Sequence, residues 1–329
     1  MRCHVKVAFA GSFAARLMEP VRARLSSPCE MLVGDEYSAA AGLADVDVLV
    51  SMAFSAHVAE AAPRLRLVQV PGAGLDRIDQ SALRPGTYLA NVYGHEVGIA
   101  EYVIGAMIAL TRSFRRLDAR LRQGRWESQW AVGANAPPLW PELAGKTLGI
   151  LGFGHIGQAI ARRAAALEMQ ICAIRRHAQT NTPTGLVLVG GPEQLDGVLC
   201  QADFLAITLP LSSATCNLID DQHLRLMKPG AFLINVARAE ICNEVALYRA
   251  LSSGHLAGAA LDVWYRYPAS AEPTSPASQP FHELDNVIMT PHVSGWTEGM
   301  LNARATLITD NIERTARGEP PLNLIARSR

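Results

Sequence analysis

The chain of 329 residues is 49% hydrophobic, 18% charged and 6% aromatic, enough apolar material for substantial cores and unlike a disordered chain. Thirty Lys and Arg balance thirty Asp and Glu, so no global field draws the chain to nucleic acid or to an anionic membrane. At about 150 residues per domain, the length suggests two domains.

The opening "MRCHVKVAFAG" has too short an apolar run for a signal peptide and reads as a first strand. "VDVLVSM", "RLRLVQVPGAGLD" and "TYLANV" read as further strands alternating with helix-like material, which places Gly72 and Gly74 just beyond a strand end. Together they predict a first α/β unit within residues 1–94. Val97 to Leu110 is apolar except for Glu101, yet as a helix it spans only about 20 Å, short of a bilayer. It is expected to be a buried helix between domains, running on to Gln123. The Pro-rich "GRWESQWAVGANAPPLWPELAG" reads as a surface excursion.

A second unit starts with the strand "TLGIL" and a helix near Ile156–Leu167. Strands follow at "QICAI", "LVLVG", "FLAITLP", "AFLINVA", "AGAALDV" and "NVIMTP", with helices near Pro192–Cys200, Asp220–Met227 and Glu240–Ser252. That alternation predicts a mostly parallel sheet with crossover helices. A last helix near Gly299–Arg317 can return to the first unit, which would make the first domain discontinuous. The six cysteines, Cys3, Cys29, Cys172, Cys200, Cys216 and Cys242, form no CxxC pair. They are expected to be thiols in a reducing compartment, so the chain is assigned to the cytoplasm with neither zinc nor disulfides.

Gly152, Gly154 and Gly157 spell G-x-G-x-x-G between "TLGIL" and a helix-compatible run, with His155 and Ile156 inside the turn. The first glycine permits the turn, the second lets a pyrophosphate approach, the third lets helix and strand pack closely, and the helix N-terminus favours phosphate. A dinucleotide site is therefore expected. About 20 residues beyond such a turn an acid commonly accepts the ribose hydroxyls of NAD. Here stand Arg175, Arg176 and His177, a fork suited to a 2′-phosphate, so NADP is preferred and NAD remains possible. The alternatives are that both arginines are merely solvated, or that Arg175 alone stacks on adenine. Asn181 and Thr182 are further candidates for this pocket.

"PGAGLDRID", "AEYVIGAMIAL", "LAGKTLGILGFGHIG", "LPLSSATCNLI", "NVARAE", "GAALDVW" and "LDNVIMTPHVSG" occur in one order across nearly the whole chain, and the whole resembles the D-isomer-specific 2-hydroxyacid dehydrogenase family. The resemblance implies an α/β fold of two Rossmann-like domains with parallel sheets, the active site lying in the interdomain cleft. Residues 1–96 plus 293–329 would form a flavodoxin-like substrate domain, and 97–292 the dinucleotide-binding Rossmann domain. It implies that Arg238 holds the substrate carboxylate, that the backbone N–H groups of Ala73 and Gly74 assist, and that His292 is the acid/base. Thr208, Pro210, Ala237 and Asp262 would shape the cofactor-facing wall, Asp262 supporting cofactor geometry or active-site pKa. It also implies a small 2-ketoacid or 2-hydroxyacid substrate and a homodimer, with Val97–Leu110 and residues 124–145 as interface material. No metal is called for.

One position departs from the family pattern. Where relatives carry a glutamate five residues after the aspartate, paired to the histidine, this chain has Tyr267. A phenol can hydrogen-bond an imidazole but brings no charge to favour imidazolium, so reduction should weaken at higher pH. Glu272, also before a proline, is the alternative partner, and Trp264, Tyr265 and Tyr267 are expected to narrow the mouth of the site or to contact the other domain. Two other functions compete: a dinucleotide-sensing regulatory protein with little turnover, and oxidation of formate or phosphite.

Overall fold

The computed structural model describes residues 5–34, 42–133, 137–177 and 185–328. In chain order the elements are β1 (Lys6–Ala10), α1 (Ser12–Arg22), β2 (Glu30–Gly34), β3 (Val48–Ser51), α2 (Ala56–Ala61), β4 (Leu67–Gln69) and β5 (Tyr88–Ala90). Next come α3 (Glu96–Thr111), α4 (Phe114–Arg122), β6 (Thr147–Leu151), α5 (His155–Ala166), β7 (Gln170–Ile174), β8 (Leu188–Gly190), α6 (Leu195–Gln201) and β9 (Phe204–Ile207). They continue with α7 (Asp221–Leu226), β10 (Ala231–Asn235), α8 (Glu244–Ser252), β11 (Leu256–Leu261) and β12 (Val287–Met289), and end with α9 (Glu298–Arg317) and β13 (Leu324–Arg327).

Two compact units result: Met1–His95 with Trp296–Arg329, and Glu96–Gly295. In the first, the described strands run β13-β5-β4-β3-β1-β2, parallel except for β13, which pairs antiparallel with β5. Its parallel part has the 2-1-3-4-5 order of flavodoxin-like sheets. Side chains alternate between faces along each strand, so Ala8, Leu49, Val68 and Leu89 form one core while Val7, Phe9, Val50 and Leu67 join α1 and α9 in another. Buried Gln69 and Asn311 fasten α9 to β4 through a 2.6 Å hydrogen bond. The sequence places a helix near Gly299; it starts at Glu298 because the Thr297 hydroxyl accepts the Met300 N–H, and it ends at Gly318, whose φ is 76°.

The second unit holds an all-parallel sheet, β12-β11-β10-β9-β6-β7-β8 among the described residues. Alternation again makes two cores, one with Leu151, Ile174, Leu205 and Leu233 and the other with Ile150, Ile171, Ala206 and Ile234. Each fully buried Leu or Ile side chain among them stabilises by about 1.5–3 kcal/mol. The single helix expected from Val97 to Gln123 is two, bent by 58°. The buried stripe of α3 ends at Leu110 and Thr111, Ser113 takes a left-handed φ of 50°, and α4 buries none of its residues. Among the described residues no single helix is long and apolar enough to cross a membrane.

Strand register explains where chemistry gathers. Leu151 aligns with Ile174 on one side and Ile207 on the other, Ile207 with Asn235, Asn235 with Leu261, and Leu261 with Met289. The last residues of β7, β6, β9, β10, β11 and β12 thus form one row. The loops leaving these strands emerge along one edge, with the strand order reversing between β6 and β9, the usual ligand side of such a sheet.

Candidate active site

The glycine turn emerges from β6. Gly152 has φ 104°, and a Cβ there would lie 2.8 Å from the carbonyl carbon of Thr208. A Cβ on Gly157 would stand 2.2 Å from the Gly152 oxygen, whereas one on Gly154 would meet nothing within 4 Å. The first and third glycines are therefore forced by packing, and the second borders open space. Helix α5 begins at His155, and Gly154 offers its first N–H groups no side-chain acceptor. These residues fit a dinucleotide pyrophosphate. Thr208 braces the turn: its hydroxyl donates to the Gly152 carbonyl at 2.6 Å. Pro210 is exposed, and its carbonyl accepts from the Thr215 hydroxyl at 2.7 Å.

Arg175 and Arg176 follow β7. The Arg175 N–H donates to the Gly190 carbonyl at 3.0 Å; Arg175 is partly buried and Arg176 exposed. Among the described residues neither guanidinium joins an ion pair. Asn181 and Thr182 lie outside the described residues.

His292 follows β12 in the left-handed region, φ 58°, a strained setting for a side chain other than glycine. Asp262, wholly buried at the end of β11, holds the loop on both sides of it. Its Oδ1 accepts from the Thr290 hydroxyl at 2.6 Å and from the Val293 N–H at 2.9 Å, and its Oδ2 from the Ser294 N–H at 2.8 Å. The Thr290 carbonyl accepts the Trp264 indole N–H at 2.8 Å and the His292 N–H at 3.1 Å. Both Asp262 oxygens are thus taken up by donors of the histidine loop.

The ring itself is held by Tyr267, whose hydroxyl lies 2.8 Å from His292 Nδ1. Burial pushes this phenol above its ordinary value; nearby Arg238 acts against that shift, and Asp262 and Glu240 act with it. The phenol is therefore neutral near pH 7. Glu272 remains exposed, its N–H donating to Ser270. Trp264 is not at any mouth: it is 5% exposed and packs edge-on against Phe281. Tyr265 is tied inward too, donating to the Cys242 carbonyl at 2.9 Å.

Arg238 follows β10 in an extended conformation, with Nη1 donating to the Ala237 carbonyl at 2.8 Å. Asn235 shapes this turn: its Oδ1 accepts the Ala237 N–H at 3.0 Å, and its Nδ2 donates to the Arg238 carbonyl at 2.9 Å. In the other unit, Ala73 and Gly74 follow β4. A Cβ on neighbouring Gly72 would stand 3.3 Å from the sulfur of Met52.

Sequence reasoning passed over Asn235, Thr290 and Tyr102. The last is on α3, and its hydroxyl lies 2.7 Å from Thr290 Oγ1. Since the single Thr290 proton goes to Asp262, Tyr102 is the donor, and burial keeps its phenol protonated. Only a threonine and an asparagine directly beside the strand ends hinted at this bracing.

Residues 104–294 match the family described as D-isomer-specific 2-hydroxyacid dehydrogenase, NAD binding domain. Over 289 residues, 85% of this chain and 82% of the relative, the sequence is 37% identical to a glyoxylate reductase of Pyrococcus furiosus. An NADPH-dependent glyoxylate/hydroxypyruvate reductase of Sinorhizobium meliloti, solved with NADP and malonate, is 26% identical with a TM-score of 0.79, covering 99% of this chain and 98% of that one. The same reductase solved with citrate is 28% identical with a TM-score of 0.80, covering 99% of each chain.

Proposed function

The chain belongs to the D-isomer-specific 2-hydroxyacid dehydrogenase family, and from that premise we propose that it reduces a small 2-ketoacid, of glyoxylate or hydroxypyruvate size, to the D-2-hydroxyacid, using NADPH in preference to NADH. The observation that carries this reading is the Tyr267–His292 hydrogen bond on a loop fixed by Asp262, in the same unit as Arg238 and the glycine turn.

When bound, the reduced dinucleotide supplies a hydride to the carbonyl carbon. Arg238 binds the substrate carboxylate with its planar fork and polarises the adjacent carbonyl. His292, protonated, passes its Nε2 proton to the carbonyl oxygen while its Nδ1–H is received by Tyr267. In oxidation the neutral ring takes the hydroxyl proton at the same atom, which requires the tautomer with hydrogen on Nδ1. Tyr267 serves both directions as an acceptor, and its own proton turns elsewhere.

The preference for NADPH rests on Arg175 and Arg176 at the end of β7, where the sequence carries no Asp or Glu between Arg175 and Pro192. The NADP bound by the Sinorhizobium meliloti reductase agrees with it. A homodimer is part of the same reading; exposed Phe114, Leu121, Trp126, Trp130, Val132 and Leu139 are the apolar surface it would cover.

The test is cofactor oxidation with glyoxylate, hydroxypyruvate, pyruvate and bulkier 2-ketoacids, with NADPH and NADH assayed separately. Turnover of the small acids with NADPH supports the reading. Tight dinucleotide binding with no turnover of any acid overturns it in favour of a sensor.

A further inference from the structure

The carbonyls of Gly72 and Ala73 are turned to the same neighbouring segment, which an extended strand does not do, because its successive carbonyls alternate. Gly72 accepts the backbone N–H of Val92 at 3.2 Å. Ala73 accepts the side-chain Nδ2 of Asn91 at 3.1 Å. In a trans peptide the carbonyl of one residue and the N–H of the next point opposite ways. Tethering both oxygens toward Asn91 and Val92 therefore aims the N–H groups of Ala73 and Gly74 together at the other side, where neither meets an acceptor among the described residues.

We propose that Asn91 is a positioning residue for carboxylate binding: its side-chain amide fixes the Ala73–Gly74 peptide so that two adjacent N–H donors converge on an anionic substrate group. The proposal rests on the reading of Ala73 and Gly74 as carboxylate donors. Asn91 lies just past β5 and is buried, with its Oδ1 lacking a partner among the described residues. Only the orientation with Nδ2 toward Ala73 is tenable, because the flipped amide would set oxygen against oxygen. Two converging N–H groups suit an anion and discriminate little among side chains, so the loop would recognise the carboxylate common to the substrate class.

The experiment compares Asn91→Asp and Asn91→Ala with the wild type, measuring glyoxylate KM and kcat, NADPH Kd and the Kd of oxalate as a non-reducible carboxylate. At pH 8 an aspartate would face the Ala73 carbonyl with a negative oxygen and turn the peptide. Glyoxylate KM and oxalate Kd should rise at least about tenfold, with kcat and NADPH Kd within about threefold. At pH 5.5 the aspartic acid can donate in place of the amide, and burial favours its protonated form, so the KM ratio to wild type should narrow. Asn91→Ala should raise KM without that pH rescue. Where Asn91→Asp does not fold, Asn91→Ala and its oxalate Kd decide alone. An unchanged KM and oxalate Kd at pH 8, or a fall in kcat with KM unmoved, overturns the proposal while the functional reading stands. Should the wild type reduce no ketoacid, that reading fails, and oxalate affinity still decides the role of Asn91: at least tenfold weaker binding by Asn91→Asp upholds it, and equal binding rejects it.

Discussion

The Tyr267 hydroxyl is 2.8 Å from Nδ1 of His292, and the Trp264 N–H approaches the same oxygen at 3.4 Å. An uncharged oxygen, rather than a carboxylate, thus faces the imidazole nitrogen. Because burial holds the phenol above its ordinary value, it remains neutral through the working range and adds no attraction for imidazolium.

Reduction consumes the protonated ring, present below the histidine pKa and lost as pH rises through it. Tyr267→Glu supplies a charge that raises that pKa, so the alkaline limb of kcat/KM for reduction should move up by about one pH unit. Tyr267→Phe removes the acceptor for Nδ1–H and should move the limb down. Profiles that overlay the wild type for both variants would show that the phenol does not tune the ring.

Asp262 receives three donors, two of them the backbone N–H groups of the two residues that follow His292. Asp262→Asn replaces one accepting oxygen with an NH2 that opposes those donors and lets the loop relax. A catalytic group displaced by about 1 Å can cost about 100-fold, so kcat should fall on that order while NADPH Kd holds. Tyr102→Phe deletes one hydrogen bond farther back and should cost only about 1 kcal/mol of stability with a few-fold loss of kcat. Equal kcat losses in the two variants would contradict this ranking.

The succession of parallel strands, β2 excepted, was legible because most of them are short apolar runs followed by turn residues such as glycine, arginine or histidine; β2, short and only partly buried, was not read. The break at Ser113 was not: no proline or glycine interrupts "TRSFRRLDARLR", and only the loss of the buried stripe after Thr111 marks it. Strand β13 escaped because its residues are mostly exposed and its pairing with β5 lies far along the chain. Tyr267 beside His292 was anticipated from its position relative to Asp262. The pairs Tyr102–Thr290 and Asn91–Ala73 were hidden for a different reason: hydrogen bonds between distant residues leave no periodic trace.

Asn235 braces the turn that carries Arg238 with one acceptor and one donor. Asn235→Leu strands the Ala237 N–H and loosens the Arg238 carbonyl, at about 1–3 kcal/mol for each buried group left unpaired. Arg238 should then lose register with its anion, raising ketoacid KM about tenfold with dinucleotide affinity retained. Asn235→Asp keeps the acceptor and loses the donor, so its KM should fall between the two. A KM for Asn235→Asp equal to that of Asn235→Leu would mean the donor alone matters.

Arg175 and Arg176 are separable by their burial. Arg175 is half-buried with its N–H bonded to the edge strand β8, a footing on which a guanidinium can be held in place, while Arg176 stands in solvent. A held fork makes bidentate contacts with phosphate, whereas a solvated one contributes mostly screened attraction. Arg175→Ala should therefore cut kcat/KM for NADPH by about 10- to 100-fold and leave NADH within about threefold, as loss of a charge-assisted contact of about 1.5–3 kcal/mol implies. Arg176→Ala should cost NADPH only a few-fold, an effect that shrinks as salt rises. Equal losses for both cofactors in the Arg175 variant would place that side chain against the adenine rather than the phosphate.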